Sequence, residues 1–382
     1  MSYLNQKRKL NAKERVVFEP IKSLNIHVGD RHIGRMALSP DRLCAFEYSD
    51  QFLLDGFAIS PFYLPLRPGL QISHRDPFDG LFGIFNDSLP DGWGHLLIDR
   101  YLVSQGIQPQ ALSVLDRLSL VGTTGMGALE FRPDNRVRSG QLTNDIEFLA
   151  KEVNNILSEV EYSEGLQVLV EQGGSSGGAR PKALINIDDI PWIVKFAAPM
   201  DPSNIGAIEY QYSLIAKKCG IEMPDTALLE DKYFGIRRFD RSGGSKIHIH
   251  SASGLLYASH RFPSLDYRDL IKASYALTKN LEEAYKIFRL MIFNVLTGNK
   301  DDHAKNFSFC YENDEWRFAP AYDLVPSDGF NGNHSTTIAT KGQPDLKDIM
   351  TVAQECGLNN KKARGIFDEV YSNCSEIKQV NW

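Results

Sequence analysis

An apolar-faced helical stretch that ends at a glycine and hands over to clustered acids constrains this chain more than any other feature. Leu281 to Leu296 carries Ala284, Ile287, Phe288, Met291, Ile292 and Val295 at three- and four-residue spacing, and Gly298 stands where a terminating C′ glycine is expected. Asn299-Lys300-Asp301-Asp302-His303-Ala304-Lys305-Asn306-Phe307 follows, then a short strand-like segment, then Asp323 at the end of Pro320-Ala321-Tyr322-Asp323. An Asp, an Asn five residues on and a second Asp beyond a strand supply the acidic half of a phosphoryl-transfer site. Such a site needs a base for a hydroxyl proton, an amide that holds magnesium, and a carboxylate that bridges the metal to phosphates. The spacing predicts an ATP-dependent kinase with Asp301 as base and Asn306 and Asp323 as the metal-holding pair.

The cationic half has a candidate 106 residues before Asp301, at Lys195. Gly173-Gly174-Ser175-Ser176-Gly177-Gly178-Ala179-Arg180-Pro181-Lys182 precedes a strand pair, Ala183 to Ile187 and Trp192 to Phe196, with Lys195 inside the second apolar strand. A lysine there needs an anionic partner, because a buried unpaired ammonium is costly. Phosphate oxygens would serve, and so would Glu209 in the helical stretch Ile208 to Lys217; a lysine snorkelling to solvent from an edge strand is the competing reading. The loop is not a Walker P-loop, since Ala179 stands where its lysine should follow, yet Gly177 and Gly178 allow close backbone approach to an anion.

Elsewhere the pattern is structural. Arg15 to Phe18, Leu43 to Tyr48 and Phe52 to Leu54 read as short strands of a β-rich cap. Asn86, Asp87, Ser88 and Asp91 flank Pro90 before a helix running toward Leu102, and suit capping and turn bonds better than a metal loop. Gly122, Gly125 and Gly127 precede a strand rather than a helix, so they form a turn and not a dinucleotide fingerprint. Asn144 to Val160 has helical spacing. Tyr233 to Arg241 reads as a strand ending in a hinge whose backbone, near Arg237, Arg238 and Phe239, could meet an adenine edge. Leu265 to Leu277 reads as a helix. His248 and His250 share a strand face, but no third metal ligand accompanies them.

At 382 residues and 42% hydrophobic content the chain is long enough for two or three cores. A formal charge of −6 argues against direct grip on nucleic acid, so any DNA contact would come through a partner. The five cysteines are scattered singly, which fits reduced thiols in the cytoplasm. Met1 to Arg15 is basic, a frayed tail or a partner-binding arm, without a secretory apolar core; no run elsewhere reaches membrane-span length.

Taken together, Phe85-Asn86-Asp87-Ser88-Leu89-Pro90-Asp91, Ser175-x-x-Gly178-Ala179-x-x-Lys182, Ile193-Val194-Lys195, Arg238-Phe239-Asp240-Arg241, Asp301-x-His303-Ala304-Lys305-Asn306-Phe307-Ser308 and Tyr322-Asp323 resemble the HipA family of bacterial toxin kinases. The resemblance spans nearly the whole chain. It implies an α+β, protein-kinase-like fold: a β-rich N-terminal lobe and an all-helical C-terminal lobe with an ATP cleft between them. The implied division is a cap over residues 1–110, the rest of the N-lobe over 111–238, and a C-lobe over 239–382.

The resemblance also implies roles. Lys195, oriented by Glu209, would contact the α- and β-phosphates of ATP; Asp301 would be the base; Asn306 and Asp323 would hold Mg2+; His303 and Lys305 would brace the loop or meet the γ-phosphate. Ser175, or Ser176 beside it, matches a serine that such kinases autophosphorylate to silence themselves. Arg180-Pro181 and Arg237 depart from the family pattern, which bears on loop geometry and inactivation more than on catalysis. The implied function is a serine/threonine kinase toxin acting on a translation component such as an aminoacyl-tRNA synthetase. Its partner would be a HipB-like helix-turn-helix antitoxin that supplies the DNA contact. A catalytically weak kinase-fold corepressor or scaffold, and a small-molecule kinase, are the alternatives.

Overall fold

A computed structural model describes residues 19–159, 165–175 and 177–380. The expected strand at 15–18 and the basic arm lie outside these residues, as does Ser176.

The first unit is a five-stranded antiparallel sheet in the order β4-β3-β2-β1-β5, built from β1 (Ser23–Val28), β2 (Arg31–Leu38), β3 (Cys44–Tyr48), β4 (Gln71–Ile72) and β5 (Leu129–Arg132). Alternation drives it: Leu24, Ile26, Cys44, Phe46 and Tyr48 point inward from alternate positions onto one core. Because β5 pairs with β1, this unit extends to residue 132 rather than ending near 110. Helix α1 (Asp50–Asp55) replaces the strand expected at Phe52 to Leu54. Ser49 caps it by accepting from the Phe52 N–H, and the helix contributes the buried Phe52 ring to the core, with Leu53 packed against it. Helices α2 (Gly83–Ser88), α3 (Gly92–Ser104) and α4 (Val114–Val121) follow, the last opened by a Ser113/Asp116 capping box.

A second sheet, order β6-β7-β9-β8, joins β6 (Lys182–Ile187), β7 (Ile190–Lys195), β8 (Thr226–Leu229) and β9 (Tyr233–Arg237). Its core is shared with α3, α5 (Ile146–Leu157) and α6 (Leu166–Gly173) through Trp93, Leu97, Leu149, Leu169 and Val194. Helix α7 (Ile205–Lys218) lies against β8 and β9. Since β7 is an interior strand, the snorkelling alternative for Lys195 is excluded.

The third core is helical at heart, with α9 (Tyr267–Thr278), α10 (Leu281–Thr297), α11 (Leu346–Glu355) and α12 (Asn360–Asn373) packed around Phe288, Met291, Phe293 and Phe367. It is not all-helical, contrary to expectation. The pair β10 (Arg241–Ser242) and β11 (Ser245–Lys246) leads into β12 (His248–Ser251), α8 (Ala252–Leu256) and β13 (Leu265–Asp266). Strand β12 forms a sheet with β14 (Ser308–Glu312) and β15 (Glu315–Phe318), and β13 pairs in parallel with β16 (Thr336–Thr337). The local reason is the turn Asn313-Asp314, both residues at positive φ, which closes β14 and β15 into a tight hairpin. As expected, Gly298 ends α10 in the left-handed region, at φ 69°.

The five cysteines are free thiols. Among the described residues no helix is long and apolar enough to cross a membrane.

Candidate active site

The second sheet sets the cationic side. Lys182 and Lys195 are direct cross-strand partners on β6 and β7, an arrangement that repels unless anions are placed between and beside them. Lys195 receives two. Its ammonium donates to Glu209, delivered by α7, and to Asp323 Oδ1 at 2.5 Å. Burial alone would lower the Lys195 pKa, but the two carboxylates outweigh it and hold the lysine charged, while Lys195 and Lys182 drive Asp323 far below the usual carboxylate range. Glu209, only 3% exposed, is pushed upward by burial. Lys182 donates to the Gly177 carbonyl at 2.5 Å, and burial with the nearby Lys195 charge lowers it to about 8.

The acidic side comes from the loop after α10. Asn306 Nδ2 donates to the Asp301 carbonyl at 2.7 Å, which ties the loop to itself and leaves the Asn306 amide oxygen as the atom for a cation. Tyr322 OH donates to the Lys305 carbonyl at 2.7 Å and meets Ser308 Oγ at 2.6 Å. Asp323 sits in the left-handed region at φ 58°, a conformation costly for a non-glycine residue and concentrated at functional sites.

One cleft is lined by Lys195, Asp323, Asn306, His303, Lys305, Gly177, Gly178, Arg237, Arg238 and Phe239. Glu209 stands behind Lys195 rather than on the lining. Asp301 is exposed. The surrounding protein still strips part of the water from its carboxyl, and this with the like charge of Asp323 raises it above the usual range, against the pull of His303. His303 Nδ1 is buried without a hydrogen-bond partner among the described residues, a polar atom that a substrate could satisfy.

The hinge is partly engaged within the protein. The Arg237 and Arg238 N–H groups already donate to the Asp225 and Pro191 carbonyls, so these two donors are spent on the protein. The lining there is apolar: Phe239 stacks on Tyr322 with ring centroids 5.8 Å apart, beside Ile193, Ile236 and Met126. Arg238 and Arg241 converge on Asp240, which also accepts from the Gly127 N–H at 2.7 Å. The Gly122-Gly127 segment is thus a turn whose Gly125 and Gly127 carbonyls accept from these arginines.

Asp91 was missed by sequence reasoning. It occupies the N-cap position of α3 but makes no capping bond; instead one oxygen pairs with Lys305 and the other accepts from the Gly178 N–H at 2.8 Å. Asp87 likewise serves no cap, binding the ring of His250 and the N–H and hydroxyl of Ser251. The spacing of two acids around Pro90 was a visible signal, but their partners lie over 85 residues away. His250 is filled by Asp87 and Ser60, and His248 Nε2 bonds the Ile59 carbonyl while its Nδ1 is buried without a partner among the described residues, so both rings join distant segments. Ser175 is buried and donates to the Thr124 carbonyl at 3.2 Å, outside the cleft lining.

The family described as HipA-like C-terminal domain matches residues 174–377, and the HipA N-terminal domain matches residues 24–132. A curated Sinorhizobium fredii protein named "Putative kinase Y4dM" is 24% identical over 297 residues, covering 68% of each chain. A Haemophilus influenzae protein named "Putative kinase" is 28% identical over 183 residues, 41% of this chain and about half (53%) of that protein. Among solved structures, a Shewanella oneidensis complex of HipA, HipB and operator DNA aligns with a TM-score of 0.68 at 18% identity, covering 93% of this chain and 90% of that one.

Proposed function

Because this chain belongs to the HipA family, we propose that it is an ATP- and Mg2+-dependent serine/threonine kinase, the toxin of a HipA/HipB-like pair. The observation that carries this reading is the Lys195 bridge to Glu209 and Asp323, with Asn306 on the same cleft. On this reading the second sheet and α7 wall the ATP cleft on one side and the α10 end on the other. Adenine would enter the apolar end between Ile193, Ile236 and Phe239, and the triphosphate would run toward Lys182, Lys195 and the Gly177-Gly178 backbone.

The donor set fits magnesium, a hard cation that prefers oxygen ligands, with the Asn306 amide oxygen and the Asp323 carboxylate as its protein ligands. When bound it would neutralise charge on the phosphates. Asp301 would take the proton of a serine or threonine hydroxyl as its oxygen bonds to the γ-phosphorus, while the bond from that phosphorus to the β,γ-bridging oxygen breaks and ADP leaves. Lys195 would stabilise the leaving charge. Positioning and electrostatics would supply the rate.

The acceptor we propose is a translation component, such as an aminoacyl-tRNA synthetase, and the partner a helix-turn-helix antitoxin that holds DNA. The Shewanella protein, solved with HipB and operator DNA, supports the partner. Phosphorylation of Ser175 would require its loop to leave the Thr124 contact, after which two negative charges would oppose its return over ATP phosphates. The test is incubation with Mg2+ and ATP, with and without cell lysate, followed by intact-mass measurement and phosphosite mapping. Phosphate on Ser175 and on a lysate protein supports the proposal. Nucleotide binding with no phosphorylated product would reject it in favour of the scaffold reading.

A further inference from the structure

Asp302 follows the proposed base directly, yet the two side chains have opposite fates. Asp301 is exposed, whereas Asp302 is 1% exposed. The two residues lie outside any helix or strand and share one peptide unit, so whatever anchors one side chain limits the direction of the other.

The anchor is unusually complete. Asp302 Oδ2 accepts from Tyr267 OH at 2.8 Å and from His334 Nδ1 at 2.9 Å; Oδ1 accepts from the Ser335 and Thr336 N–H groups at 2.9 and 3.2 Å. Thr336 Oγ1 returns a bond to the Asp302 carbonyl at 2.5 Å, and the Ser335 N–H and hydroxyl both donate to the Lys300 carbonyl. Tyr267 is fixed in turn by Asn294 of α10, 3.0 Å away. The loop at 300–302 is therefore fastened to residues 334–336, in the segment that follows Asp323.

We infer that Asp302 is a positioning residue: by holding residues 334–336 and Tyr267 on its buried side, it fixes the direction in which Asp301 presents its carboxylate and couples the base to the chain beyond Asp323. This rests on the kinase reading above. Asp302 touches no nucleotide; it acts through Asp301.

The experiment compares Asp302→Asn, His334→Asn and His334→Leu in the full chain. Asp302→Asn keeps the size but turns one acceptor into a donor facing donors. His334→Asn can still donate to Asp302, and His334→Leu cannot. Displacing a base by about 1 Å is expected to lower kcat about 10²-fold. Positioning predicts that loss for Asp302→Asn and His334→Leu, partial recovery for His334→Asn, and a KM for ATP within about twofold of wild type throughout, since Lys195, Asn306 and Asp323 are untouched. Variants that melt earlier but keep kcat per folded molecule would overturn the inference, as would KM for ATP rising in step with the fall in kcat.

Hydrogen exchange on the same proteins separates this inference from the kinase reading. Wild type that transfers no phosphate would sink that reading, whereas the coupling is read directly from amides at 298–306 and 327–337. Joint loss of protection in Asp302→Asn supports it; unchanged protection in either segment refutes it.

Discussion

Lys195 and Asp323, 128 residues apart in sequence, meet with Nζ 2.5 Å from Oδ1. The contact joins the second sheet to the loop chemistry of the third core, and Glu209 shares the same ammonium. Lys195→Met removes the charge on which both carboxylates depend. Phosphoryl transfer should fall about 10²- to 10³-fold, as when one preorganised electrostatic contact is lost. Breaking a buried ion pair also destabilises by about 3 to 5 kcal/mol. Because burial already raises Glu209, that residue should relieve the cost by taking up a proton. Urea melts of Lys195→Met and of the double variant with Glu209→Gln test this: the double variant should recover part of the lost stability, and an additive loss would show that the two residues do not interact.

Asp301→Asn should abolish most transfer while sparing binding. The Asn306 amide is held by the Asp301 backbone carbonyl, which the substitution leaves in place, so the metal-holding side of the site should persist. Loss of a positioned base costs about 10²- to 10⁴-fold. Titration calorimetry with ATP and Mg2+ should give a Kd within about twofold of wild type. Because the Asp301 carboxyl is raised above its ordinary 3.8, the wild-type rate should decline on the acid side at a pH above that value, as the base becomes protonated. Full activity in Asp301→Asn would remove it from the mechanism.

Much of this site was readable because its parts are local. The α10 pattern, the Gly298 stop and the Asp301-to-Asn306 spacing lie within one run, and Lys195 betrayed itself as a charge in an apolar strand. The fold around them was less readable. Strands β12 and β14 were legible one at a time, as the histidine strand and the strand-like segment before Asp323, but their sheet forms only by pairing across more than 50 residues, and the all-helical C-terminal lobe was what the resemblance implied. Asp91 was hidden for the same reason. Its position before a helix satisfies a local rule, and only tertiary contact shows that Lys305 and Gly178 take its oxygens instead. Local propensity is a weak prior where a distant charge competes for the same side chain.

Gly178 offers a graded probe of the loop. Its φ is +86°, and a Cβ there would lie 2.5 Å from Lys182 Nζ. Gly178→Ala thus combines about 1 to 2 kcal/mol of left-handed strain with displacement of a cleft lysine. Gly244→Ala is the control, with φ +80° and open space at its Cβ. Both should lose similar stability from strain. KM for ATP should rise several-fold in Gly178→Ala alone, and equal KM values for the two would show that the loop does not touch nucleotide.

Asp240 gives the clearest pH signature. Its side chain, 1% exposed, accepts from Arg238, Arg241 and the Gly127 N–H, tying the hinge to the turn before β5. Burial pushes its pKa up, but the two guanidiniums and the backbone donor pull harder, so the folded value lies below the ordinary 3.8. A depressed carboxylate contributes stability that is fully present above the unfolded pKa of about 3.9 and is lost as pH falls through the folded value. Asp240→Asn should therefore cost about 3 to 5 kcal/mol at neutral pH, because the buried Arg238 and the half-buried Arg241 lose their shared partner. Measured by urea melts, the gap between wild type and variant should hold steady from pH 8 to 5 and narrow below about pH 4. A gap that stays constant at still lower pH would mean that the packing of the side chain, rather than its charge, fastens the hinge to the turn.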